Sequence, residues 1–371
     1  MNFELSDEQQ QLADAVRKIL AGSYGFEQRQ AVLRSASGFS DSTWATLADM
    51  GLMALALPEA DGGFGGGAVD LMAPMEACGE ALLVEPLLDH IVAGRLLART
   101  GSVAQRAALL PGLIDGTRHL AFASLEPGQR YALAPVATTA QQSSGVWVLD
   151  GAKSVVVGAA QAHTLIVSAR TLEGTSLFVV DAKAPGVQLN PSRTADGLRA
   201  ADVHFKAVRL GADALLGTAG AALPAIEEAV DFATALLCAD AIGAMQYALD
   251  ATLDYTKTRK QFGSPIASFQ VLQHRMVEML ITLEQARSMA IRAAAQVDGG
   301  GDPRERSRVV SGAKIKIADA ARLISQEAVQ LHGGMGMTEE LKISHTFRRL
   351  TMAAQRFGDA DHHLERYAAL S

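Results

Sequence analysis

The stretch from near Arg118 to about residue 216 differs in texture from everything around it, and this contrast constrains the fold more than any other feature. Within it HLAFASLE, VWVLDGAKSVVV, HTLIVSA, SLFVVDA and ADVHFKAVRL are short, rich in β-branched residues and separated by turn signals. Asp150-Gly151 reads as a tight-turn dipeptide. The block predicts an antiparallel β domain. On either side the apolar spacing is helical. Ser6 and Gln9 form a capping-box pattern, followed by Leu12, Ala15, Val16, Ile19 and Leu20 at helical intervals. Helical patterns recur to about residue 115. Their main interruption, LPEADGGFGGG at 57–67, reads as a loop. Beyond Gly220 the helical segments are long, roughly 221–257, 266–299, 303–332 and 339–369. Pro265, Gly299-Gly300-Gly301 and Gly333-Gly334 punctuate them, which predicts a four-helix bundle. The expected fold is mainly α with a central β domain: an N-terminal α-helical domain at 1–116, a middle β domain at 117–218 and a C-terminal four-helix bundle at 219–371.

Composition narrows the function. A chain of 371 residues with 49% hydrophobic content supports a large core. A formal net charge of −7 makes nucleic acid or an anionic membrane an unnatural partner, so any bound anion needs local basic groups. No uncharged run is long enough to span a bilayer, and MNFELSDEQQQ lacks the pattern of a signal peptide. Cys78 and Cys238 lie far apart in apolar contexts. They read as free buried thiols in a reducing compartment, and a cytoplasmic location is expected. His332, His345, His362 and His363 do not form a metal motif. There is no HExxH, and His362 and His363 diverge by about 100° on a helix. Neither a G-x-S-x-G elbow nor a Walker A loop is present.

Two stretches carry candidate chemistry. In RKQFGSPI, 259–266, Arg259 offers a planar fork for phosphate oxygens and Gln261 an amide. Phe262 offers a stacking face, and Gly263 lets the backbone turn or come close. Taken alone, this is an ordinary turn between helices. In AVQLHGGMGMTEE, 328–340, a helix ends at paired glycines, and Gln330 with the Gly333-Gly334 backbone offers a polar edge. Glycines at a helix end are ordinary on their own too.

Together, in one bundle, the two stretches resemble the acyl-CoA dehydrogenase family. The resemblance rests on YTKTRKQFGSPIASFQVLQHRMVEM and LHGGMGMTEELKISHTFRR, and extends to LPEADGGFGGG, to LEPG at 125–128 and to DGAKSVVV at 150–157. It implies a helical, β and four-helix-bundle fold. It also implies an FAD whose flavin N5 takes a hydride from the substrate β-carbon while a carboxylate removes the α-proton. By the same resemblance Arg259, Gln261, Phe262, Gln330, Gly333 and Gly334 correspond to positions that hold the ADP half of FAD bound in a neighbouring subunit.

The chain departs from the family where the flavin ring would sit. The pattern Thr-Glu-Pro-Gly-x-Gly-Ser-Asp becomes Leu125, Glu126, Pro127, Gly128, Gln129, Arg130, Tyr131 and Ala132. Trp-Ile-Thr-Asn becomes Val155, Val156, Val157 and Gly158, and valine offers a flavin heteroatom no hydrogen bond. The two positions at which the family carries its Glu base are read as Gly358, within RFGDADHH, and Ala233. Asp359 and Asp240 are candidate substitute bases, although each also reads as a surface or capping residue of a helix. The sequence therefore predicts a subunit of a hetero-oligomeric acyl-CoA dehydrogenase, performing α,β-dehydrogenation of an acyl-CoA thioester. This chain would donate ADP-side contacts to FAD held by a homologous partner subunit that carries the catalytic Glu. A heterotetramer of two and two, a bulky substrate such as a sterol side-chain thioester, and an electron-transfer flavoprotein as acceptor are the corresponding expectations. The alternatives are a self-sufficient homo-oligomeric dehydrogenase with an Asp base and a non-enzymatic scaffold of the same fold.

Overall fold

The capping box at Ser6 forms. Its hydroxyl accepts from the Gln9 amide at 3.2 Å, and Gln9 Oε1 accepts from the Ser6 amide at 2.9 Å. In this computed structural model, which describes residues 6–371, the cap opens α1 (Asp7–Ser23). There follow α2 (Phe26–Arg34), α3 (Asp41–Asp49), α4 (Ala68–Ala81), α5 (Leu87–Thr100) and α6 (Val103–Ile114). The strands are β1 (Leu120–Ala123), β2 (Thr139–Ser143), β3 (Val146–Val157), β4 (Thr164–Arg170), β5 (Thr175–Asp181), β6 (Val187–Arg193), β7 (Arg199–Leu210) and β8 (Leu215–Leu216). Next come α7 (Leu223–Thr258), the short strands β9 (Lys260–Gln261) and β10 (Ser264–Pro265), α8 (Gln270–Asp298), α9 (Pro303–His332), α10 (Lys342–Gln355) and α11 (Ala360–Leu370). The described chain packs as two compact units. One contains residues up to Ala31, Ala68–Leu83 and Thr234–Ser371; the other contains Val32–Gly67 and Val84–Ala233.

In the second unit the eight strands form one sheet in the order β6-β7-β3-β2-β4-β5-β8, with β1 beside β4. The pairing is antiparallel except at β4, which β1 joins in parallel and β2 touches in parallel at Thr139 and Arg170. Trp147, Phe178, Val203 and Phe205 are among the buried residues of its core, and the Trp147 and Phe178 rings meet edge to face at 5.2 Å. Asp150-Gly151 is not the turn. The β2–β3 hairpin turns at Ser144 and Gly145, both at positive φ, and Asp150-Gly151 lies inside β3 at a bulge against β7. The bulge needs glycine because a Cβ at Gly151 would stand 2.5 Å from the Thr138 Cα. Asp150 accepts instead from the Ala207 amide across the bulge at 2.7 Å.

In the first unit α4 and α7 cross at backbone contact. A Cβ on Gly79 would stand 1.8 Å from the Asp240 carbonyl oxygen, and one on Gly243 would stand 1.8 Å from that of Glu76. α7 is long and apolar enough to cross a membrane by composition, but 89% of its most apolar window is buried inside the protein. Cys78 and Cys238 are buried and not joined in a disulfide, and burial pushes the Cys238 thiol up to about 12.

The fourth long helix expected over 339–369 is two helices. Between α10 and α11, Phe357 and Gly358 take φ of +57° and +122°. The freed carbonyls are satisfied by a buried cation: Lys314 Nζ donates to Ala354 O at 3.0 Å and to Gly358 O at 2.7 Å. Burial lowers the Lys314 pKa to about 8. Asp359 then caps α11, accepting from the His362 amide at 2.9 Å.

Candidate cofactor site

The RKQFGSPI stretch is a miniature β-hairpin, not a plain turn between helices. Lys260 and Gln261 pair antiparallel with Pro265 and Ser264. Phe262 and Gly263 form the two-residue turn at φ +53° and +82°, the signs a type I′ turn requires. A phenylalanine is an unusual occupant of that position, and here it is 93% exposed. Among the described residues the ring meets that of Phe269 edge to face, at 6.1 Å between centroids. Backbone bonds from the Arg259 amide to Tyr255 O (2.8 Å) and from the Ile266 amide to Arg259 O (2.9 Å) fix the hairpin on the end of α7. The side chains of Arg259 and Gln261 are exposed and make no hydrogen bond or ion pair among the described residues.

The second stretch is launched from the same end of the bundle. The His332 ring, on the last residue of α9, stacks on Tyr255 of α7 at 4.5 Å and 26°. Gln330 is exposed on the last turn of α9. Gly333 and Gly334 open a 3-10 turn, and a Cβ on either would meet nothing within 4 Å. Arg259, Gln261, Phe262, Gln330 and the two glycines are thus carried by adjoining helix ends and left open to solvent. That arrangement fits the ADP end of FAD: a guanidinium fork for phosphate, an amide, a stacking ring and uncovered backbone.

The segment expected to face the flavin ring is closed. Ser154 N donates to Leu125 O, Val155 N to Asp202 Oδ1 and Gly158 N to Arg199 O, each at 2.9 Å. Val156 and Val157 are buried and paired with Ala201 and Ala200 of β7. Val155 is half-exposed at φ +49°, in a second bulge of β3. Gly158 packs on Pro86, where a Cβ would stand at 3.1 Å. The side chains of Val155, Val156, Val157 and Gly158 offer no donor and these backbone donors are spent, so the segment does not fit an isoalloxazine edge.

Glu126 survives in the altered LEPG loop because it holds the fold. Its carboxylate accepts from the amides of Val136 (3.0 Å), Ala137 (2.8 Å) and Thr138 (2.9 Å), and from Lys153 Nζ at 3.1 Å. Burial opposes its ionisation, but the amide bonds, Ala137 foremost, and the Lys153 ammonium outweigh it and hold the pKa at about 2. Lys153 is fully buried and also donates to Ser124 O and Ser168 Oγ, and burial lowers its pKa to about 8. Sequence reading missed Lys153. The available signal was a lysine inside a β-branched run, which needs an anionic partner if the strand is buried.

Both candidate bases already hold structural partners. Asp240 is not at the surface: it is buried on α7 and accepts from Arg349 of α10 at 2.9 and 2.7 Å in a bidentate pair. Asp359 is committed to the cap of α11. Ala233 is fully buried. At Gly358 a Cβ would lie 2.6 Å from both His362 Cδ2 and His363 Nε2, at a φ that glutamate rarely adopts. Neither position supplies a carboxylate. The histidines are structural here as well. His363 Nε2 lies 3.1 Å from Phe357 O, and burial lowers its pKa to about 3. His345 Nδ1 lies 3.0 Å from Arg29 NH1 and its Nε2 lies 3.1 Å from Glu339 O.

Comparison with known proteins bears on this geometry. Residues 6–117, 121–208 and 220–369 match the models for the acyl-CoA dehydrogenase N-terminal, middle and C-terminal domains. The chain is 32% identical to acyl-CoA dehydrogenase FadE12 of Mycobacterium tuberculosis (strain ATCC 25618 / H37Rv), over 92% of this chain and 90% of that protein. Among solved structures, a variant of the Tcur3481-Tcur3483 steroid ACAD is 31% identical with a TM-score of 0.90, covering 98% of this chain and 97% of that one. The ChsE4-ChsE5 complex from Mycobacterium tuberculosis has the same fold, with a TM-score of 0.92 at 24% identity, covering 100% of this chain and 98% of that one.

Proposed function

The chain belongs to the acyl-CoA dehydrogenase family, and from that premise we propose that it is the non-catalytic subunit of a heteromeric FAD-dependent acyl-CoA dehydrogenase. The observation that carries this reading is an asymmetry within one polypeptide. The groups suited to the ADP end of FAD are free and exposed, whereas the segment that would meet the flavin ring has spent its donors internally. A homologous partner subunit then provides the flavin wall and the Glu that takes the α-proton. Bound there, the flavin supplies the hydride acceptor for α,β-dehydrogenation of the thioester.

This chain's own residues bind and orient. The Arg259 fork pairs with diphosphate oxygens, Gln261 and Gln330 offer amide hydrogen bonds, and Phe262 covers a flat apolar face. The open backbone at Gly333 and Gly334 admits the nucleotide closely. The self-sufficient alternative would have to free Asp240 from Arg349 or Asp359 from the cap of α11. The relation to the Tcur3481-Tcur3483 steroid ACAD supports a sterol-derived acyl-CoA as substrate class and a two-component assembly. A two-and-two tetramer with two flavins, re-oxidised by an electron-transfer flavoprotein, follows from the same reading.

The test is the complex co-expressed with the homologous Glu-bearing subunit. Arg259→Ala is expected to leave the complex assembled and strip most of its flavin. Unchanged flavin content and turnover would make the hairpin idle and favour a scaffold role.

A further inference from the structure

The two stretches that suit a nucleotide are poorly braced from within. The hairpin pairs only two residues of β9 with two of β10, and a lone two-stranded hairpin is marginal in water. The turn at Gly333 and Gly334 has no side chain to pack, and Gly333 stands at φ +61°. No hydrogen bond or ion pair joins residues 255–266 to 328–338 among the described residues. What spans them is the ring stack of Tyr255 on His332, 4.5 Å between centroids and 26° between planes.

The two rings are well placed to act as a brace. Tyr255 stands one helical turn before Arg259, whose amide donates to its carbonyl at 2.8 Å. His332 directly precedes Gly333, the cap of α9. Each ring rests on a fixed base. His332 Nδ1 lies 2.8 Å from Ala328 O; a carbonyl only accepts, so this nitrogen carries the proton and holds the ring against its own helix. Burial lowers the His332 pKa, which favours the neutral ring. Next to Tyr255, the buried Thr256 places its Oγ1 3.0 Å from Leu253 O and 3.4 Å from Met276 Sδ, which seats the end of α7 on α8. The Tyr255 hydroxyl has no hydrogen-bond partner among the described residues, so the contact uses the ring and not the phenol oxygen.

We infer that Tyr255 and His332 are positioning residues for the cofactor. Their stack holds the 259–266 hairpin and the 333–334 turn at one spacing, so that the Arg259 fork and the open glycine backbone meet the same nucleotide. This inference rests on the reading given under Proposed function. Two loops that act on one ligand bind it more tightly when their spacing is set beforehand, because less chain freedom is lost on binding.

The experiment removes flavin from the complex with the homologous Glu-bearing subunit, measures the Kd for added FAD, and records the Tm of the isolated chain. Tyr255→Leu removes the flat face. His332→Asn keeps a donor for Ala328 O but has no ring. Each is expected to raise the Kd about three- to tenfold. Tyr255→Phe keeps the ring and restores the parent Kd. The double variant Tyr255→Leu/His332→Asn costs no more than the larger single loss, because both changes break one contact. An unchanged Kd in both single variants, whether or not the Tm falls, makes the stack structural only and overturns the inference. So does a loss in Tyr255→Phe equal to that in Tyr255→Leu, or losses that add in the double variant. The two readings fail separately. An Arg259→Ala complex that keeps its flavin defeats the nucleotide grip itself. Flavin lost from Arg259→Ala but held by Tyr255→Leu and His332→Asn defeats only the brace.

Discussion

The hairpin at 259–266 and the end of β3 at 153–158 look alike locally. Each is short, carries a glycine and holds one bulky residue in the left-handed region, Phe262 at φ +53° and Val155 at +49°. Their chemistry is opposite. In the hairpin the Arg259 and Gln261 side chains are left without a partner among the described residues, and the strained phenylalanine projects into solvent. In β3 a buried lysine has three partners, and amides on both sides of the valines are spent within the chain. Strain beside free donors marks a surface shaped for something outside the chain, whereas strain beside spent donors marks a bulge that serves the sheet. Residue identity alone would not separate the two.

The contrast can be broken most forcefully at Lys153. Lys153→Met leaves Glu126 ionised and buried without its cation, and is expected to cost about 3–5 kcal/mol in denaturant unfolding. Adding Glu126→Gln recovers part of that loss. Arg259→Ala stays within about 0.5 kcal/mol of the parent. Equal losses from the two single variants would erase the distinction. Asp240→Ala carries a similar cost of about 3–5 kcal/mol by stranding Arg349, with turnover per folded complex unchanged. Loss of turnover without loss of stability would instead make Asp240 the base.

Next in size is Gly358→Ala, at about 2–4 kcal/mol, from a strained φ and a Cβ pressed onto His362 and His363. Acid exposes a smaller effect. His90 and His363 have folded pKa values lowered by burial to about 4 and about 3, from 6.5. Each therefore contributes stability that is present above pH 6.5 and lost as pH falls toward its folded value. At pH 5 that amounts to about 2 kcal/mol per group, and His363→Gln flattens its share of the slope. The smallest effect has the opposite sign. Phe262→Asn installs an Asn-Gly turn and is expected to stabilise the isolated chain by about 0.5–1 kcal/mol while reducing flavin retention in the complex. A variant that gained stability and kept its flavin would show that the aromatic face is not used.

The order of helices, sheet and helices was legible because periodicity and turn signals are local. So were the Ser6 capping box and the capping role open to Asp359. What escaped was set by distant contacts. Asp150-Gly151 has the composition of a turn, but Thr138 and β7 make it a bulge. The helix expected to end at residue 369 breaks because Lys314, far back on α9, satisfies the carbonyls the break exposes. Asp240 was read as a surface residue because its partner Arg349 lies on another helix. At the candidate site the sequence showed which side chains were missing from β3. It could not show that the neighbouring backbone amides were taken as well.

The most direct measurement is the flavin content of the purified chain alone and together with its homologous Glu-bearing subunit. The account predicts a colourless isolated chain and a yellow complex with one FAD for each pair of unlike subunits. A yellow chain on its own that bleaches on addition of acyl-CoA would contradict it.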